Sequence, residues 1–159
     1  MLQTRPVGDE DCQLLWEWAN DPTVRASAFN SRPITWEEHV AWFRSRRNNP
    51  NCYMCLVLDN EGIPVGQVRL DVGVDGRAEV AISIAPDRRG RGYGAEALCL
   101  VCRRFREVRD ISEVVGYIKP DNTASIRAFE KAGFVSHGRT QVRGHEAIRM
   151  FWRPTAPNS

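Results

Sequence analysis

The spacing of hydrophobic positions along this chain switches repeatedly between three-to-four and strict alternation. In "VGDEDCQLLWEWAN", Cys12, Leu15, Trp16 and Ala19 fall on one helical face, with Asp9 as N-cap and Asn20-Asp21-Pro22 as the stop. "TWEEHVAWFRSRR" opens with Thr35 and Glu38 in capping-box spacing and ends at "NNPN", which predicts a second helix. Alternation then takes over in "CYMCLVL", "VGQVRLDV" and "RAEVAISIA", separated by the turns "DNEG" and "GVDG", and predicts a three-strand meander. "GAEALCLVCRRF" sets Leu98, Val101, Cys102 and Phe105 on one face and Arg103, Arg104 and Arg106 off it, an amphipathic helix. "EVVGYI" reads as a strand, and "DNTASIRAFEKAGF" as a helix that starts at a capping Asp or Asn and stops at Gly133. The strands "FVSHGRTQV" and "EAIRMFW" flank the turn "RGHE". These elements predict one domain over residues 1–153, followed by a disordered tail, residues 154–159.

Composition narrows the classes. The 159 residues fit one domain, and a formal charge of +2 is too balanced for a general nucleic-acid or membrane role. No apolar run approaches the roughly 18 residues that span a bilayer, and the start lacks a signal-peptide layout, so a cytoplasmic protein is expected. Five cysteines fit reduced thiols better than a disulfide framework. Two C-x-x-C spacings, Cys52 to Cys55 and Cys99 to Cys102, raise a zinc site. Strand alternation would turn the first pair to opposite faces and the second sits in a helical apolar pattern, so no metal is expected.

Charge is concentrated in "DRRGRGYGAE", between the last strand of the meander and the next helix. The first amides of a helix lack partners and its dipole is positive there, which favours an anion. Glycine removes the Cβ atoms that would hold phosphate oxygens away. The cluster reads either as a pyrophosphate cradle or as a glycine-rich turn before a basic helix start. Gly90, Gly92 and Ala95 fit a dinucleotide fingerprint, but about half the chain, with its antiparallel meander, precedes them. No G-K-[ST] supports a nucleoside triphosphate.

Arg89, Gly92 and Gly94 match the R/Q-x-x-G-x-G/A pattern of the GCN5-related N-acetyltransferase superfamily. "NTASIRAFEKAGF" resembles its second signature through Asn122, Ser125, Phe129, Glu130, Lys131, Gly133 and Phe134. The resemblance covers residues 2 to 152 and implies an α/β (α+β) fold with a central mixed, mostly antiparallel sheet of six to seven strands and about four flanking helices. It implies acetyl-CoA as co-substrate. Main-chain groups at Ile82, Ser83 and Ile84 would pair with the pantetheine arm. Amides from Arg89 through Gly90, Arg91, Gly92 and Tyr93 to Gly94 would bind the pyrophosphate, with Asn122, Ser125 and Phe129 along the coenzyme arm.

Transfer to an amine needs a base, a polarised carbonyl and a proton for the leaving thiolate. Glu79 is the candidate base; its alternative is a surface carboxylate paired with Arg77 or Arg69. Many relatives have Tyr where Phe129 stands, which leaves the acid open between solvent, Ser125 and Tyr117, or a thiolate leaving with help from the helix dipole. The stretch from Glu17 to Phe43 is similar to amino-sugar-nucleotide N-acetyltransferases of the pseudaminic acid pathway, and shares part of its pattern with ribosomal-protein-type enzymes. That resemblance implies a nucleotide-linked amino sugar as acceptor, held by Asn20, Arg25, Asn30, His39 and Trp42, with a peptide N-terminus as the alternative; for at least one of His39 and Trp42 the expected role is helix packing into the core. A noncatalytic acyl-CoA sensor is the reading from another class. The expected partners are small-molecule amines, without nucleic acid or membrane, and the chain is expected as a monomer or homodimer.

Overall fold

The computed structural model describes residues 1–154; most of the expected tail lies outside the described residues. Among the described residues, seven strands and five α-helices follow one another as β1 (Gln3–Pro6), α1 (Cys12–Ala19), α2 (Pro22–Ser27), α3 (Trp36–Arg47), β2 (Cys52–Leu58), β3 (Pro64–Val72), β4 (Arg77–Ile84), α4 (Tyr93–Val108), β5 (Glu113–Ile118), α5 (Thr123–Lys131), β6 (Val135–Val142) and β7 (His145–Trp152). They form one mixed sheet, β1-β2-β3-β4-β5-β7-β6, in which β4 and β5 are the parallel pair. The expected fold class holds, with one strand and one helix beyond those read from the pattern. β1 is only four residues long and lacks an alternating apolar signal.

Two sequence expectations for the first helix need correction. Asp9 does not cap α1; the chain enters through a 3-10 turn, Asp9–Asp11, where the Asp11 carboxylate accepts the Gly8 amide at 2.8 Å and holds Arg5 in a two-point pair at 2.8 and 2.9 Å. Asp21-Pro22 ends α1 but also starts α2. Asp21 accepts the Thr23 and Val24 amides, and Pro22 takes the first helical position, where a missing N–H costs nothing. Thr35 caps α3 through the Glu38 amide at 3.2 Å, as its spacing predicts.

Alternation divides the sheet into two cores. Val68, Leu70, Ala78 and Val80 pack with Leu98, Val101, Cys102 and Phe105 on the side of α4 and α5. Met54 and Leu56 pack with Leu15, Trp18 and Phe43 on the side of α1 and α3. Register then creates an opening in the middle. β4 and β5 pair only at Arg77–Glu113, Ala78–Val114 and Glu79–Val115; beyond these, β4 continues beside β3 and β5 beside β7. Phe129 of α5 lies under the parting point, against Gly116, and meets Phe134 edge-on at 4.8 Å.

Helix α2 lies across the ends of the parted strands. At one end Arg89, after β4, donates to Asp21 at 2.9 Å; at the other Lys119, after β5, donates to the Ala26 carbonyl at 3.1 Å. Burial pushes the Asp21 carboxyl up, but the Arg89 hydrogen bond and charge and the two capping amides outweigh it and hold the group below its ordinary value.

The packing at Gly116 sets one expectation. A Cβ there would stand 2.4 Å from the Phe129 ring, so Gly116→Ala should destabilise the fold by about 1–3 kcal/mol in urea titrations, with part recovered when Phe129→Leu is added. Asp21 sets another. Its lowered folded-state pKa means that its contribution is complete above the unfolded value, about 4, and is lost as pH falls through the folded value. Unfolding free energies measured between about pH 6 and 3 should therefore fall less steeply for Asp21→Asn than for the native chain; equal slopes would contradict the pairing.

Candidate active site

The opening between β4 and β5 brings together most of the residues expected to hold a coenzyme. The Ala85 amide donates to the Val65 carbonyl at 2.8 Å, so alternation turns the main-chain groups of Ile84 and Ile82 away from β3 and toward the gap. Directly after β4, Gly90 and Gly92 adopt φ of +78° and +79°, the left-handed region that favours glycine, and Gly92 is the N-cap of α4. A Cβ at either would meet nothing within 4 Å, so these glycines serve the turn and leave its outer side open. The first turn of a sixteen-residue helix thus presents its free amides beside the gap.

The loop arginines differ in their surroundings. Arg88 is paired with Asp59 at 3.0 Å and Arg89 with Asp21 at 2.9 Å, whereas Arg91 is exposed and forms no ion pair among the described residues. Across the gap, Asn122 caps α5 by accepting the Ser125 amide at 3.2 Å. Asn122 also helps line a cavity of about 380 Å³ with Asp121 and the α2 residues Pro22, Thr23, Ala26 and Ser27. Phe129, on the expected stripe with Asn122 and Ser125, is buried as the wedge under β5 and offers no free face toward a coenzyme arm. A larger hollow of about 540 Å³ lies at the C-terminal end of α4, roughly 24 Å along the helix from the glycine loop.

Glu79 stands at the last paired position before the strands part, exposed. The alternative pairings expected for it are absent: Arg77 pairs with Glu113 at 2.6 Å and Arg69 with Asp71 at 3.0 Å. Val115 is its neighbour on β5, which puts Tyr117, two residues on, on the same sheet face.

Asn20, Arg25 and Asn30 are placed differently from their reading as ligand contacts, while His39 and Trp42 take the packing role. Asn20 exchanges two hydrogen bonds with the Ile34 main chain, each 2.8 Å. Arg25 donates to the carbonyls of Ala19, Asn30 and Arg32, so its guanidinium staples the loop between α2 and α3 and is not free for a phosphate. Asn30 accepts the Arg32 amide at 3.1 Å in that loop. His39 is buried, its Nε2 2.8 Å from the Cys12 carbonyl; burial drives its pKa below the ordinary value, and that hydrogen bond opposes the shift without cancelling it. Trp42 packs on the second core with the Arg69 guanidinium 5.3 Å from its ring centre. Asn20, Arg25, Asn30 and His39 thus spend side-chain hydrogen bonds on the protein's own main chain.

All five thiols are unpaired. Burial pushes Cys102 up to about 12 and Cys52, also beside Asp71, up to about 11, so neither supplies a thiolate. No group of three or more His, Cys, Asp or Glu side chains that could hold a metal ion occurs among the described residues, and none of the helices is long and apolar enough to cross a membrane. Sequence reasoning missed α2 and its two anchors, Asp21 and Lys119. The signal for the first was present: an acidic cap followed directly by proline marks a helix start as well as a stop.

Comparison with known proteins agrees with this architecture. An aminoglycoside acetyltransferase, AAC(6')-Ib, in complex with coenzyme A superposes with a TM-score of 0.85 at 18% identity, covering 96% of this chain and 95% of that one. Spermidine N-acetyltransferase from Vibrio cholerae, with coenzyme A and spermine, gives 0.84 at 18% identity over 96% and 95%. A domain from Methanocaldococcus jannaschii gives 0.82 at 22% identity over 97% and 99%. At these identities the likeness is one of fold. An uncharacterized protein of Methanocaldococcus jannaschii is 27% identical over 132 residues, which are 82% of this chain but only 27% of that protein, so this chain spans about a quarter of its relative's length. The family model described as acetyltransferase (GNAT) domain matches residues 2–135, a span that holds the glycine loop, the parted strands and α5, and the chain belongs to that family.

Proposed function

We propose that this chain transfers an acetyl group from acetyl-CoA to a primary amine by direct attack within a ternary complex. The observation that carries the reading is the parting of β4 from β5 directly beside the glycine turn of α4. A pantetheine arm, with its two amides, matches an opening that presents main-chain groups of Ile82 and Ile84. The pyrophosphate would meet the amides at the start of α4, with Arg91 as the unpaired cation.

In this reading Glu79 takes a proton from the acceptor ammonium, directly or through water. The amine lone pair attacks the thioester carbon, a C–N bond forms, the nitrogen gives up its second proton to solvent, the C–S bond breaks and the sulfur leaves as thiolate. Solvent, Ser125 or Tyr117 returns the proton. Phe129 brings no hydroxyl, and its packing under Gly116 gives it a structural task. The acceptor we propose is a nucleotide-linked amino sugar, ahead of a peptide N-terminus, supported by the resemblance over residues 17–43. Since Asn20, Arg25 and His39 are engaged by the protein's own main chain, that resemblance bears on the shape of the acceptor wall and not on direct contacts.

Thiol release from acetyl-CoA, measured against nucleotide-linked amino sugars and N-terminal peptides, tests this. Turnover on the sugars is expected, with Glu79→Gln lowering kcat by about 10²- to 10⁴-fold while the Kd for coenzyme A is unchanged. Tight coenzyme binding with silence on every amine would replace the enzyme by a noncatalytic acyl-CoA sensor.

A further inference from the structure

Among the described residues, three buried side-chain atoms lack a hydrogen-bond partner: Gln67 Oε1, Glu113 Oε1 and Arg149 Nε. Buried polar atoms are nearly always satisfied, so each asks for an explanation. Glu113 has one in charge. Arg77 Nε stands 2.6 Å from its Oε1, off the line of a hydrogen bond, and Arg153 Nε 3.2 Å from its Oε2. Arg149 forms no ion pair among the described residues; its Nε is closed to solvent, so the terminal Nη donors are the ones an entering anion can meet.

Register places these atoms. Arg149 stands opposite Tyr117, Phe151 opposite Val115, Val115 beside Glu79, and Gln67 opposite Ser83. Cross-strand partners share a face. Gln67 and Glu79 therefore flank the gap on one side, and Tyr117 and Arg149 on the other, all on the face where α1 and α3 pack. The Arg149 guanidinium lies 5.2 Å from the Phe151 ring centre and that of Arg77 6.0 Å from the same ring, while His137 meets its edge at 4.8 Å. The carboxylate in this group, Glu113, already serves Arg77 and Arg153. A guanidinium held over an aromatic ring gains from the ring's negative face but keeps donors that need oxygen acceptors.

We infer that Arg149, seated on Phe151, is an anion-binding subsite of the acceptor cleft, so that the acceptor is an amine that also carries a carboxylate or a phosphate. The inference rests on the acetyltransferase reading in taking the gap as the place of reaction. Strand spacing puts the Phe151 row two strands, roughly 10 Å, from Glu79, which fits an amine and an anion about three extended residues apart. A polyamine offers Arg149 no counter-charge, which separates this chain from the spermine-bound neighbour.

The test is calorimetry on the protein saturated with coenzyme A, which keeps phosphate out of the glycine loop. The probes are uridine diphosphate, triglycine with its free carboxylate, and triglycine amide. Binding of at least one anionic probe is expected, with Arg149→Gln raising its Kd tenfold or more while Tm and coenzyme affinity stay constant. Arg149→Lys, which keeps the charge but loses the planar pair of terminal Nη donors, should raise it several-fold and reads the same point should the first variant not fold. Uridine diphosphate alone would identify a phosphate, triglycine alone a carboxylate. Failure of both anionic probes to bind, or a Kd within twofold in the variants, would overturn the subsite. Because the readout is binding, Arg149-dependent affinity without thiol release from any amine would count against the acetyltransferase reading and leave the subsite standing.

Discussion

Three residue pairs join the two halves of this sheet, and the opening proposed to hold the coenzyme begins where they end, at Glu79–Val115. A strand that leaves its partner in mid-sheet exposes main-chain donors and acceptors in a half-buried place, where unpaired groups are costly. Phe129 packs on the face of β5 just past the last pair, where a side chain on residue 116 would have to be, and β5 runs on beside β7. The result is an opening with the hydrogen-bonding pattern of a strand edge, next to the free amides of α4.

Helix α2 depends on the same geometry. It is too short to be stable alone and is fixed by its ends, Asp21 to the glycine loop and the Ala26 carbonyl to the turn after β5. Anything that binds in the gap lies beneath a segment tied to both of its rims. Ion pairs from α2 and from the β2–β3 turn sort the loop's charges. Arg88 and Arg89 are neutralised by Asp59 and Asp21, which leaves the helix amides and Arg91 to meet an incoming anion.

The layers of this fold were legible wherever packing follows a simple period. The α4 stripe of Leu98, Val101, Cys102 and Phe105 is buried as its spacing requires, and Gly133 ends α5 with φ of +97°. The glycine loop was legible because left-handed backbone leaves a compositional mark. β1 was not, since four residues paired at an edge carry no alternating signal, and α2 was hidden by a proline that reads equally as an end and a beginning. The acceptor side was least legible. Asn20, Arg25 and His39 have the chemistry of ligand contacts, but Asn20 and Arg25 are taken up by carbonyls of the loop before α3, and His39 by the Cys12 carbonyl of α1. Arg149 gave no sequence signal, because its meaning depends on which strand lies opposite and which carboxylates are already engaged.

Amide hydrogen exchange with and without coenzyme A tests most directly whether a coenzyme occupies the gap between β4 and β5. Added protection is expected at Ile82, Ile84 and the amides from Gly90 to Gly94, with the outer strands β1 and β6 unchanged. Protection that instead gathers at the far end of α4, around Arg106 to Ile111, would contradict occupancy of the gap and place the coenzyme elsewhere.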